Sequence, residues 1–396
     1  MNFPKAALFA GAPLLLLAAA CSDPAPKSQT TTATTTAATA TAVSADQPIV
    51  TTDASAISPE TQVVPGSDAP PASSADPLIT PSNSPLAKPI DTANWRAAPE
   101  TPDAKRHALL RAEVLLARAH FSPGVIDGQD GGNLQNAIAA FEAAHSLPVD
   151  GKMDEAVWGA LAKDTQPVLT DYAVTADDVK GPFLATIPTD MAELAKLPAV
   201  GFTNPLEALA ERFHMDEALL KSLNPGVDFS VAGTRIVVAA LGADRLKGKV
   251  ARIEVDKTKR QVRAYGAGDA LLAVYPATVG STERPAPAGD WAVRTVAPNP
   301  TYTYDPSRLT FGKTENGKLT IKPGPNNPVG STWIDLTKDT YGIHGTPDPR
   351  LVGKTASHGC VRLTNWDVRQ LSLAVKAGTK VAFVGVEQAK PVKATG

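Results

Sequence analysis

Two hydrophobic periods divide the chain. From Lys105 to Leu161 apolar residues recur every three to four positions: Leu109, Leu110, Val114 and Leu115 share one face, and Leu134, Ile138 and Phe141 repeat it after a Gly-rich turn. That spacing predicts amphipathic helices. Leu206, Leu209, Ala210 and Phe213 predict another, and Met215 to Leu223 a further one that stops at Asn224-Pro225-Gly226. From Lys249 the period falls to two. Ile253 and Val255, Val262 and Tyr265, then Leu272, Val274 and the stretch to Val279 read as successive antiparallel strands, turning at 256–259 and 266–269. Trp291, Val293 and Thr295 continue that set. Thr364 then caps a last helix with Asp367 at its third position. Val368, Leu371 and Val375 face inward, Gly378 ends the helix, and Lys380 to Val384 forms a closing strand. The expected fold is multidomain: a small all-α module, an α+β connector, and a mainly β, sandwich-like domain.

Neither period appears before residue 98. Residues 22–98 are rich in Thr, Ala, Ser and Pro, with hardly an aromatic residue before Trp95. Such a segment buries too little apolar surface to offset its chain entropy, so a disordered tether is expected over 21–100. Ahead of it, Lys5, the apolar run through Leu14 to Leu17 and the small residues Ala18, Ala19 and Ala20 read as an export signal over 1–20, directly before Cys21. A formal net charge of −2 with no polybasic run gives no support for nucleic acid as a partner.

The candidate chemistry lies between Tyr341 and Leu363. This stretch supplies two imidazoles, His344 and His358, and one thiol, Cys360. A thiol attacks as thiolate, and an ordinary pKa of about 8.5 leaves little thiolate at neutral pH, so an imidazole must take the proton. In an extended segment His358 and Cys360 point to one side, while His344 arrives from a separate strand. Gly359 beside the thiol lets backbone N–H groups approach a developing oxyanion. Taken singly, a Cys or a His is more often a buried or hydrogen-bonded structural residue; it is their combination that points to catalysis. A metal site is not expected, because one Cys and two His lack the paired spacing of zinc signatures.

His344-Gly345-Thr346 followed by Ser357-His358-Gly359-Cys360-Val361-Arg362 resembles the active-site signature of the L,D-transpeptidases that act on bacterial peptidoglycan. The resemblance extends through Pro323 to Gly330 and Trp333-Ile334-Asp335-Leu336, and it covers a catalytic domain at 248–387, followed by a tail at 388–396. It implies Cys360 as the acyl-accepting nucleophile and His344 as its general base and proton donor, with the Gly345 carbonyl orienting the imidazole. It also implies an oxyanion hole lined by His358, Gly359 and Cys360, and substrate contacts from Arg362 and Ser357. Many members have Asn where this chain has Arg362. No cofactor is needed for this chemistry. The donor would be a tetrapeptide stem of peptidoglycan. The acceptor would be a second stem, giving a three-to-three cross-link, an outer-membrane lipoprotein Lys, giving protein anchoring, or water, giving an L,D-carboxypeptidase.

Three further resemblances complete the layout. Phe121 to Gly128, Leu147 to Gly151 and Trp158-Gly159-Ala160-Leu161 are similar to a peptidoglycan-binding three-helix module, placed at 101–165. In it the two Asp-Gly turns read as separate helix approaches and not as an internal repeat. Leu223-Asn224-Pro225-Gly226 with Gly233 to Val238 resembles the second half of a LysM module, giving a LysM-like connector at 168–242 opened by a strand at Asp171 to Val174 and interrupted by an insertion from Gly181 to Phe202. Cys21 after three Ala residues resembles a lipoprotein signal, with cleavage nearby by an ordinary signal peptidase as the alternative. That implies a periplasmic protein held to the outer membrane by a lipid on Cys21, since Ser22 and not Asp follows. Two other classes compete: a cysteine peptidase of different ancestry, disfavoured because no peptidase motif surrounds Cys360, and a noncatalytic wall-binding protein, which would have no use for both Cys360 and His344.

Overall fold

The computed structural model describes residues 79–95, 100–280, 285–306, 317–355, 357 and 359–387. The export signal with Cys21, most of the proposed tether, His358 and the tail lie outside them. The last part of the tether does not behave as one. Residues 88–91 form α1 (Lys88–Asp91), with Ala87 and Ile90 buried in the core of the helical module and connector. The Asp91 carboxylate accepts from the Val168 and Leu169 N–H groups at 2.8 and 3.1 Å. These contacts, with the Ser82 N–H on the Leu169 carbonyl and the Thr170 hydroxyl on the Thr80 carbonyl, tie this stretch down, a local signal that a composition average hides.

Three helices follow: α2 (Pro102–Arg118), α3 (Gly132–Ala144) and α4 (Glu155–Leu161). Thr101 caps α2 through the Ala104 N–H, with Pro102 in the first turn, and Asp154 caps α4 through Val157. The two Asp-Gly turns share one device. Glu113 Oε2 accepts from the N–H groups of Asp127 and Gly128 at 3.2 and 2.9 Å, and Glu142 Oε2 accepts from Asp150 and Gly151 at 3.0 and 2.8 Å. Both glycines have φ near +70°, at 72° and 71°, so each turn needs a residue without Cβ.

The connector is β1 (Leu169–Ala173), α5 (Ala176–Lys180), α6 (Met191–Ala195), α7 (Pro205–Arg212), α8 (Glu217–Leu223) and β2 (Arg235–Ala239), with β1 and β2 antiparallel. Its core is continuous with that of the helical module, and Ile126 bridges Met215 in parallel. The insertion carries α6, which packs on a strand of the next domain.

That domain holds β3 (Arg252–Asp256), β4 (Gln261–Tyr265), β5 (Leu271–Pro276), β6 (Gly289–Pro298), β7 (Tyr302–Tyr304), β8 (Leu319–Ile321), β9 (Thr332–Leu336), β10 (Gly342–His344), β11 (Val361–Arg362), α9 (Asn365–Ala374) and β12 (Lys380–Val384). Eight strands form one sheet in the order β11-β10-β9-β6-β12-β3-β4-β5, while β7 and β8 pair separately. A bridge between Thr278, just past β5, and Arg362 on β11 joins its two ends. The mainly β expectation therefore holds, with both layers made by one curled sheet, which has few free edges. Two details differ from the sequence reading. β6 does not extend the β3–β5 meander; it lies between β12 and β9. The last helix stops at Ala374, with Val375 already extended and Gly378 at φ 83° in the turn before β12.

Candidate active site

β10 and β11 run parallel, with Ile343 opposite Val361 and His344 opposite Arg362. Residues opposite each other project to the same face, and Cys360 lies two residues before Arg362, so the sheet gathers His344, Arg362 and Cys360 on one side. Across β9, His344 pairs in register with Trp333, whose indole stacks on the imidazole at 5.3 Å with an interplanar angle of 21°. His344 ends its strand and Cys360 immediately precedes one. His344 thus stands on a strand separate from Cys360, and Cys360 leads into a two-residue strand before α9.

His344 is 4% exposed. Its Nδ1 lies 2.7 Å from the Gly345 carbonyl, an acceptor only, so Nδ1 carries the proton and Nε2 is the acceptor nitrogen of the neutral ring. Burial, then the Arg362 charge, hold the imidazole down to about 3 against the pull of the Gly345 and Val329 carbonyls. Cys360 is 5% exposed and sits in a buried cluster with Trp333, Tyr302 and Tyr304 and, from the connector insertion, Leu194 and Val200. Burial pushes its thiol up to about 11, although the Gly342 N–H and the Arg362 charge oppose that shift. The resting pair is thus a neutral thiol and a neutral imidazole. The thiol contacts the Thr340 carbonyl at 3.8 Å.

Ser357 lies buried in the loop that leads to Cys360. Its hydroxyl donates to the Cys360 carbonyl at 2.6 Å and accepts from the Gly359 N–H at 3.2 Å, so it ties the loop around Cys360 together. The same bond occupies the Gly359 N–H expected at the oxyanion hole. Arg362 is on the site face as expected. Its Nε is buried without a hydrogen-bond partner, and burial lowers the pKa of its guanidinium. Among the described residues no group of three or more His, Cys, Asp and Glu side chains is placed to hold a metal ion.

The L,D-transpeptidase catalytic domain family matches residues 250–382, and a peptidoglycan-binding domain family matches residues 108–161. YkuD from Bacillus licheniformis, described as an L,D-transpeptidase, is 30% identical over 181 residues, which is 45% of this chain and 92% of that protein. The chain belongs to the L,D-transpeptidase family. YbiS from Escherichia coli K12, also described as an L,D-transpeptidase, is 28% identical over 219 residues, covering 53% of this chain and 70% of its own. A solved L,D-transpeptidase from Mycobacterium smegmatis aligns over 39% of this chain and 65% of that one, at 19% identity and a TM-score of 0.29.

In this L,D-transpeptidase a residue that motif reading passed over also lies at the candidate site. Asn365, 3% exposed, is the first residue of α9 and reaches the backbone on both sides of the site. Its Oδ1 accepts from the Ser331 and Thr346 N–H groups at 3.0 and 3.2 Å. A Cβ on Gly330 or Gly345 would come within 2.1 or 2.0 Å of that oxygen, which explains why both positions are glycine. In sequence the only signal was an Asn following a helix-capping Thr, which reads as part of a cap and nothing more.

Proposed function

We propose that this L,D-transpeptidase cleaves the tetrapeptide stem of peptidoglycan through a thioester on Cys360 and transfers the acyl group to an amine, either of a second stem or of an outer-membrane lipoprotein Lys. The observation that carries this reading is a buried thiol on the same sheet face as a buried imidazole whose Nδ1 proton is held by the Gly345 carbonyl. As the thiol sulfur attacks the carbonyl carbon of the residue before the terminal D-Ala, its proton passes to His344 Nε2, and charge appears only with the transition state. The oxyanion is received by the Cys360 and Gly359 N–H groups, the latter exchanging Ser357 Oγ for it. His344 then gives its proton to the departing D-Ala amine. The incoming amine loses a proton to His344 as it attacks the thioester, and the thiol is regenerated. The Arg362 guanidinium, whose buried Nε has no hydrogen-bond partner, is suited to hold a carboxylate of the donor stem, a contact of about 1.5–3 kcal/mol for a charged hydrogen bond.

The peptidoglycan-binding module supports the wall as substrate. The apolar run and Ala residues before Cys21 support a lipid anchor there and a periplasmic site of action; the intact mass of the native protein tests this, and an unmodified N-terminus elsewhere overturns it. The reaction is tested by muropeptide analysis of sacculi incubated with the purified chain. Tripeptide-linked dimers or lipoprotein-bearing tripeptides that vanish with Cys360→Ser support transfer. Tetrapeptides left unchanged overturn it.

A further inference from the structure

The connector and the catalytic sheet meet along one face of α7. Glu207 and Glu211 lie one helical turn apart, a pairing of like charges that costs an isolated helix stability and usually marks a solvated face. Here each grips an asparagine of the catalytic domain. Glu207 Oε1 accepts from Asn326 Nδ2 at 2.7 Å, and both Glu211 oxygens accept from Asn365 Nδ2 at 3.0 and 3.1 Å. Asn365 Nδ2 also reaches the Pro325 carbonyl at 3.1 Å, while its Oδ1 holds the Ser331 and Thr346 N–H groups. Every polar atom of this amide is thereby used, and an amide held at both ends cannot rotate without breaking buried bonds.

What the amide holds is the turn that aims the imidazole. Thr346 follows Gly345, whose carbonyl fixes His344 Nδ1, and Ser331 follows Gly330, whose neighbour Val329 offers a second carbonyl to the ring. We propose that Asn365 and Glu211 are positioning residues for the base: the connector, through Glu211, locks Asn365, and Asn365 locks the Gly345-Thr346 turn that orients His344. The connector is then part of the catalytic machinery and not only a spacer or a wall-binding appendage. A shift of about 1 Å in an oriented base costs about a hundredfold in rate, so loosening this chain of contacts is expected to act on chemistry well before it unfolds the domain.

The proposal rests on His344 being the base, and its test separates the two. The rate of Cys360 acylation by a carbapenem, meropenem, is followed by intact mass from pH 5 to 10 on the full chain. Loss of base assistance leaves attack by preformed thiolate, which rises about tenfold per pH unit below the thiol pKa. His344→Ala defines that profile. Asn365→Ala, Asn365→Asp and Glu211→Ala are expected to take the same steep profile and to fall at least about tenfold at pH 7. Glu211→Gln, which keeps an acceptor oxygen for Asn365, is expected to retain the wild-type shape. The double variant Asn365→Ala/His344→Ala is expected to be no slower than His344→Ala. A merely structural role would lower the melting temperature without changing the pH profile. Variants of Asn365 and Glu211 that stay folded by near-ultraviolet circular dichroism and keep the wild-type profile, while His344→Ala loses it, overturn the proposal. If Asn365→Ala fails to fold, Asn365→Asp and Glu211→Ala decide by the same criterion. A wild-type profile in His344→Ala overturns the base assignment itself.

Discussion

His344 and Arg362 occupy opposite positions of the parallel pair β10 and β11, so a buried imidazole and a half-buried guanidinium project side by side from one face of the sheet. A fixed positive charge at that distance opposes protonation of the ring. It adds to burial, the larger cause, in holding His344 down to about 3.

Replacing Arg362 by Gln removes the charge and leaves the burial. The His344 pKa is expected to rise in Arg362→Gln but to stay below the ordinary imidazole value of about 6.5. A pH titration of the ring Cε1 resonance, with histidine labelled in both proteins, measures it. An unchanged midpoint would show that the guanidinium does not reach the ring.

The thiol is expected to be slow to alkylate at neutral pH. With Cys360 pushed up to about 11, its rate of reaction with iodoacetamide should climb about tenfold per pH unit from 7 to 10 without a plateau. Leu194, 4% exposed, belongs to the cluster that contains Cys360. Leu194→Ala opens a cavity there and is expected to raise the alkylation rate at pH 8 by about threefold or more through easier local opening. A rate plateau near pH 8.5 in the wild type would contradict the buried thiol.

Stability should fall on both sides of a narrow pH range. Burial, against hydrogen bonds from Thr364 and Ser122, pushes the Asp367 carboxyl up to about 7. The folded chain therefore holds this proton more tightly than the unfolded one, where Asp titrates near about 3.9. The associated stabilisation is full below that value and is lost as pH rises through about 7, at up to about 1.4 kcal/mol per pH unit. Glu211, pushed up to about 8 by burial, acts in the same sense. His344 and His214, both held down to about 3 by burial, act at the other end: their share is present above about 6.5 and is lost as pH falls toward 3. Calorimetric melting temperatures from pH 5 to 8 should decline less steeply in Asp367→Asn, which keeps an acceptor for Ser122. Equal slopes would remove Asp367 from the account.

Two glycines should respond to Ala in opposite directions. A Cβ on Gly342 would lie 2.4 Å from Cζ2 of Trp333, the indole that stacks on His344, so Gly342→Ala is expected to cost about 1–3 kcal/mol and to slow acylation. A Cβ on Gly159, within α4, meets nothing within 4 Å, and Gly159→Ala is expected to stabilise by about 0.5–1 kcal/mol. Thermal unfolding of the two variants measures both, and a neutral Gly342→Ala would show that Trp333 has room to move.

Much of the architecture was legible in the order of residues because it rests on local rules. The helical period of Leu109 to Leu115, the alternation of Ile253 with Val255, and the Thr364 cap each act within a few residues, and all appear where they were expected. His344, Gly345, Cys360 and Arg362 were found together because the two pieces of their motif lie close together in one stretch of chain. Ala87, Ile90 and Asp91 were missed because three residues were averaged into a Thr- and Pro-rich segment. The curl of the sheet, the placement of β6 between β12 and β9, and the use of Ser357 as a loop tie depend on partners far away in the chain, which no local period records. The same holds for protonation. Sequence establishes that a thiol and two imidazoles are present, but whether they rest as an ion pair or as neutral groups depends on how completely folding removes water from them. Glu211 is the clearest case: in the order of residues it is one acid of a solvated helix face, and only its distance of 3.0 Å from Asn365 places it behind the active site.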